Sequence, residues 1–168
     1  MPAIERPDTG NYFRFYGIEP SFDVDLARLK TLFLQKSREY HPDFYTHDPE
    51  SQNIALAVSA FNNKAYKILG DDISRAQYLV DLNTDEQERT QQLPQTFLMD
   101  MMDLNESIDE LSIGNDTGKQ ELSENIASLK QEIKKDIDLA ALANNWQETQ
   151  MALLKWKYLE RLEARLRD

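Results

Sequence analysis

Apolar residues in this chain recur in steps of three and four, the spacing that lines one face of a helix. Over residues 23–40, Leu26, Leu29, Phe33 and Tyr40 fall on one side, and Asp23 is placed to cap the start. Pro42 stops this helix, because the residue before a proline is pushed away from the α region. Residues 41–51 hold His41-Pro42-Asp43, Asp48-Pro49 and Ser51, which predict a loop. A second helix is predicted over 52–69, with Ile54, Val58, Phe61, Ala65 and Ile68 in register, ended by Gly70-Asp71-Asp72. A short helix over 73–81 follows. Ahead of these come a loose tail, residues 1–10, and a short segment Tyr12–Gly17 that runs into the turn Gly17-Ile18-Glu19-Pro20.

The polar stretch Asn83–Pro94 reads as a linker or, since Thr84 to Gln87 matches a capping box, as a helix start; a long helix should begin within 84–95 and end before Gly114. Asn115–Gly118 reads as a turn. A helix over 119–143 then places Leu122, Ile126, Leu129, Ile133, Ile137 and Ala140 on one side. Asn144-Asn145 breaks it, and a last helix fills 146–167. Short connections make neighbouring helices antiparallel, so residues 83–168 predict an up-down-up three-helix bundle. The chain reads as all-α.

Composition narrows what such a protein can do. Its 168 residues include 30 acidic and 19 basic side chains, a formal charge of −11. Nucleic-acid binding rests on phosphate neutralisation by Lys and Arg, so that class is not expected here. There is no cysteine, which removes disulfides, thiol catalysis and cysteine-ligated metal centres. The longest aliphatic runs, Ile54–Val58 and Leu139–Ala143, fall far short of the ~20 residues a membrane helix needs. No basic segment followed by an apolar stretch opens the chain, so no secretory signal is expected and the location expected is cytoplasmic. Only 5 glycines are present, few for phosphate-binding loops or turn-dense β folds.

The sharpest local feature is Tyr40-His41-Pro42-Asp43, at the junction of two helices that must pack antiparallel. It therefore sits at an exposed end, stiffened by the fixed φ of Pro42. A rigid turn that presents an imidazole and a carboxylate suits docking on another protein's polar network. On the preceding helix, Arg28, Thr31, Gln35 and Arg38 share the face opposite the apolar stripe. Two arginines against a strongly acidic background point to an acidic partner surface, or simply to a solvated helix face. His41 and Asp43 could form an acid–base pair, but no nucleophile lies near them in sequence. His41, Asp43, His47 and Asp48 match no established metal-ligand spacing.

Leu29, Phe33 and Tyr40-His41-Pro42-Asp43, then Phe61-Asn62, Ala65-Tyr66 and Leu69, then Arg75-Ala76 and Tyr78-Leu79, resemble a J domain over residues 11–82. That resemblance implies docking on a DnaK-type chaperone and stimulation of its ATPase. His41, Pro42 and Asp43 would be the stimulatory element, with Arg28 and Arg38 in support. Glu39 stands where many J domains carry a basic residue, and Phe44 where many carry lysine. Both departures weaken the electrostatic contribution and imply a specialised chaperone.

The helix that begins within 84–95 has two faces to explain. Phe97, Met101, Leu104, Ile108 and Leu111 form a core stripe. Leu98, Met99 and Met102 point elsewhere, bordered by Asp103, Glu106 and Glu110. An apolar patch with a carboxylate rim is the anatomy of a binding site, or of a surface covered by the rest of the chain. Phe97-Leu98-Met99-Asp100, Asp103, Glu106 and Asp109-Glu110, with Leu154, Lys157-Tyr158-Leu159 and Leu162, are similar to the C-terminal bundle of the HscB family. This is a family of J-type co-chaperones in iron–sulfur cluster assembly. The likeness implies an L-shaped molecule whose bundle binds an IscU-type scaffold protein through Leu98, Met99, Met102, Asp103, Glu106, Glu110 and Tyr158. Its other partner would be a DnaK/HscA-type ATPase chaperone, with no cofactor, metal, membrane or nucleic acid. Asp103 stands where a glutamate is common, and the chain lacks the cysteine-rich zinc element of some eukaryotic members. A different client, or a helical adaptor with an incidental His-Pro-Asp, is the alternative.

Overall fold

The structure, a computed structural model, describes residues 4–111 and 114–167. Residues 1–3 of the expected tail and the last residue of the expected bundle lie outside the described residues. Among the described residues all regular elements are helical. They are α1 (Tyr12–Tyr16), α2 (Leu26–Glu39), a 3-10 turn (Pro42–Tyr45), α3 (Pro49–Gly70), α4 (Asp72–Asn83), α5 (Glu86–Arg89), α6 (Gln95–Asp109), α7 (Asp116–Leu142) and α8 (Trp146–Arg167). They form two compact units, Met1–Leu79 and Val80–Asp168. Among the described residues, no helix is long and apolar enough to cross a membrane.

In the first unit, α1 buries Tyr12, Phe13, Phe15 and Tyr16, and Gly17 ends it at φ 64°, a left-handed conformation that suits glycine. The cap of α2 is Asp25, which accepts from the Arg28 amide, rather than Asp23. Asp23 sits in the preceding loop, its own amide donated to Ser21 Oγ at 3.1 Å. With the helix starting two residues beyond Asp23's expected role as cap, Leu26 falls in its first turn and is 50% exposed instead of joining the core. Phe22, in the loop, is buried beneath the Arg75 guanidinium, 4.8 Å from its ring centre.

Helix α3 starts at Pro49, within the stretch that turn signals assign to a loop. Asp48 caps it by accepting from the Glu50 and Ser51 amides, and proline suits the first position because its missing N–H has no partner to lose. Its buried stripe is Ala55, Val58, Asn62, Ala65 and Leu69, shifted from the all-apolar series, so Ile54, Phe61 and Ile68 are only half-buried. Asn62 explains the shift. Its Nδ2 donates to Phe33 O at 3.1 Å and Ser37 Oγ at 3.0 Å, and Tyr16 Oη donates to its Oδ1 at 2.7 Å. One buried amide thereby ties α1, α2 and α3 together, fully partnered as a buried polar group must be. Buried Arg75 is held likewise, donating to Phe22 O, Leu69 O and Asp72 Oδ1 at 2.7–2.8 Å.

The second unit takes in the last residues of α4 and then α5, a single turn closed by a capping box between Asp85 and Glu88, one residue beyond the Thr84–Gln87 pairing. Asn115 is not a turn residue but the cap of α7, accepting from the Gly118 amide at 3.0 Å, so that helix begins at Asp116. Asn144, at φ 54°, ends α7, and Asn145 accepts from the Glu148 amide to start α8. Lys119 meets the Arg167 carbonyl and Lys130 meets Glu163, pairs that climb one helix while descending the other, so α7 and α8 are antiparallel. Arg165 pairs with Asn105 and Asp109, which lays α6 beside α8. The core between them holds Met101, Leu104, Ile108, Ile126, Ile133, Ile137, Leu153, Leu159 and Leu162.

Candidate functional site

The first candidate site is the tip between α2 and α3. The Tyr40 ring is buried and its hydroxyl donates to Glu5 O at 3.1 Å, which fixes the end of α2. His41 then caps a short 3-10 helix that begins at Pro42. Its Nδ1 lies 3.3 Å from the Asp43 amide and 3.7 Å from the Asp43 carboxylate. The turn thus occupies the inner edge of the imidazole and leaves Nε2 without a partner among the described residues. The side chains are 51% and 83% exposed, so the imidazole edge and the carboxylate both face water. Tyr45 Oη donates to Glu39 O at 2.8 Å, pinning the far end of the turn to the last carbonyls of α2. Asp48 is engaged in capping α3, and no group of His and carboxylates that could hold a metal assembles among the described residues.

Arg28, Thr31, Gln35 and Arg38 are all exposed along the outer face of α2. That face is not purely polar, because Leu34, between Thr31 and Arg38, is 43% exposed.

The second candidate site lies on α6. Leu98, Met99 and Met102 are exposed, the two methionines by about three-fifths, as are Asp103, Glu106 and Glu110. Leu98, Met102, Glu106 and Glu110 follow one another at four-residue steps, a row about 18 Å long by the helical rise. Its apolar end leads to its acidic end. Half-buried Tyr158 of α8 meets Phe97 edge to face, ring centres 6.0 Å apart. Tyr158 and Leu98 also share a groove of about 430 Å³ with Leu93, Leu154 and Arg161. The sequence pattern gives Leu93 and Arg161 no role, and Leu154 enters it only among the residues that carry the family likeness. Leu154 precedes Tyr158 by one helical turn, the spacing that sets the two side by side on α8.

The two units therefore define a class: a helical protein whose first unit presents a stiff His-Pro-Asp tip and whose second presents a three-helix bundle. Residues 93–167 match the family model described as the HSCB C-terminal oligomerisation domain. A co-chaperone protein HscB homolog of Haemophilus ducreyi is 31% identical over 161 residues, 90% of this chain and 91% of that protein. The human iron–sulfur cluster co-chaperone protein HscB is 28% identical, covering 98% of this chain and 71% of its own. A Vibrio vulnificus HscB homolog is 36% identical over 110 residues, which span 64% of its length. The crystal structure of human co-chaperone protein HscB superposes with a TM-score of 0.84 at 27% identity, over 98% of this chain and 85% of that one. The chaperone HscB from Vibrio cholerae shares the fold, with a TM-score of 0.74 at 22% identity over 94% and 95% of the two chains. The chain belongs to the HscB co-chaperone family.

Proposed function

We propose that the protein is a co-chaperone of iron–sulfur cluster assembly. It binds an IscU-type scaffold protein that carries a cluster, brings it to a DnaK/HscA-type chaperone and stimulates that chaperone's ATPase. The protein performs no chemistry of its own, and the cluster is cargo held by the scaffold. Residues 11–82 act as the J domain, in which His41, Pro42 and Asp43 trigger hydrolysis while Arg28 and Arg38 steer the approach. Residues 83–168 form the scaffold-binding bundle, with Leu98, Met99, Met102 and Tyr158 as apolar contacts and Asp103, Glu106 and Glu110 as the charged rim.

The observation that carries this reading is the His41-Pro42-Asp43 turn, exposed and held rigid from both ends by Tyr40 and Tyr45. A tip tied at both ends loses less conformational entropy on binding, so its geometry goes into recognition. The test is the steady-state ATPase of an HscA-type chaperone with this protein alone, with the scaffold alone, and with both. Stimulation by the protein alone, enlarged when scaffold is added, supports the reading. No stimulation under any of the three conditions overturns it.

A further inference from the structure

Phe44 departs from the way this chain treats its aromatic residues. The sequence holds seven Phe, seven Tyr and two Trp. Among the described residues, Phe44 alone of these is exposed, at 62%. Most of its surface stays in water, so it contributes little burial to the folding of the chain.

The 3-10 turn decides which way that ring faces. At three residues per turn, positions three apart eclipse one another. Phe44 accordingly lies over His41, with ring centres 5.5 Å apart and planes tilted by 52°. The Phe44 amide donates to His41 O at 3.0 Å, which holds the two residues in that relation. Tyr45, the next residue, turns the other way and bonds back to α2. Of two adjacent aromatics, one fastens the turn and the other is presented outward beside the imidazole. A surface that reaches the outer edge of His41 meets the Phe44 ring as well.

This step rests on the reading that the tip docks on a DnaK-type ATPase. We propose that Phe44 is the apolar anchor of that contact, and that the chaperone partner carries an apolar recess beside its acceptor for His41. Charges on α2 govern the encounter, whereas a buried aromatic governs how long the complex lasts. The division makes Phe44 a determinant of which chaperone is held.

The test measures stimulated ATPase of an HscA-type chaperone against concentration of the full chain, for wild type, Phe44→Ser, Phe44→Leu and His41→Gln. A thermal melt accompanies each protein. Phe44→Ser should melt with wild type, reach the same plateau, and need about tenfold or more protein for half-saturation, as loss of an interface anchor requires. Phe44→Leu should recover most of that loss, and His41→Gln should lose the plateau itself. An unmoved half-saturation in Phe44→Ser, with His41→Gln inactive, overturns the anchor and leaves tip docking standing. A lost plateau in Phe44→Ser makes the ring a positioning group for His41 and overturns the anchor too. A melt several degrees lower shows the ring to be part of the fold, with the same consequence. Normal stimulation by His41→Gln overturns both readings.

Discussion

Tyr45 and Glu39 are joined by a hydrogen bond from the phenol to the backbone carbonyl, 2.8 Å long, that closes the tip onto the helix before it. Two variants separate the geometry of the tip from its chemistry. His41→Gln alters an exposed position, so stability should change by within about 0.5 kcal/mol while stimulation of the chaperone is lost. Tyr45→Phe removes a bond worth about 1 kcal/mol and should leave stimulation present but reduced. A thermal melt and an ATPase assay on both proteins check this. Full activity in His41→Gln contradicts the role given to the tip.

Salt dependence reports on the outer face of α2. If Arg28 and Arg38 meet an acidic surface, association should slow as ionic strength rises from about 10 to 150 mM, because the screening length falls from about 30 to 8 Å. Charge reversal at Arg38 should flatten most of that slope. Stopped-flow association rates at four salt concentrations decide it, and an unchanged slope shows a merely solvated face.

On α6 the apolar and acidic parts of the patch should fail differently. Changing Leu98, Met99 and Met102 together to alanine removes exposed side chains, far cheaper than core truncations at about 2–5 kcal/mol each. The triple variant should melt near wild type, stimulate the chaperone unaided, and lose scaffold affinity mainly through faster dissociation. Alanine at Asp103, Glu106 and Glu110 should give a smaller loss that depends on salt. Titration of scaffold into each variant, with a melt alongside, tests the pair. A melt many degrees lower for the apolar triple would assign those side chains to the fold.

Burial pushes the Tyr40 phenol up to about 12, with the neighbouring Glu39 adding to the effect. Burial raises Tyr16 as well, in the same direction. A raised phenol favours the neutral form in the folded state, so the stability it contributes is intact below the ordinary value of 10.0 and is lost as pH climbs toward 12. Melting temperature should therefore decline across that interval. Tyr40→Phe, which cannot ionise, should show a shallower decline from a lower starting point, since it also loses the bond to Glu5 O. Equal slopes in the two proteins would rule out Tyr40 as a source.

Periodicity made the long helices legible, because α7 and α8 bury one continuous stripe and little competes with it. It failed where the same residues serve two signals. Asp48-Pro49 is a turn signature and equally a helix start, and the choice depends on whether α3 has a neighbour to pack against. In α3 the core position went to Asn62, an amide whose three partners come from α1 and α2, so hydropathy alone placed the stripe wrongly. Leu26 was misplaced because its burial turns on where the helix begins. At the sites, the exposure of Leu98, Met99 and Met102 follows from the core stripe of α6, and the exposure of His41 and Asp43 from the helix junction. The contact of Tyr45 with Glu39 and the groove beside Leu154 depend on three-dimensional neighbours that a linear pattern does not carry.

Helix α6 is 15 residues long beside partners of 27 and 22, and its start at Pro94 has no side-chain cap. It buries three side chains, against five in α7 and seven in α8. In hydrogen exchange its amides should therefore open before those of the α7–α8 hairpin, as a separate low-energy step. The residues proposed to receive the scaffold ride on this shortest of the three bundle helices. A client bound there would register first as slowed exchange along α6, a footprint readable without any assay of the chaperone.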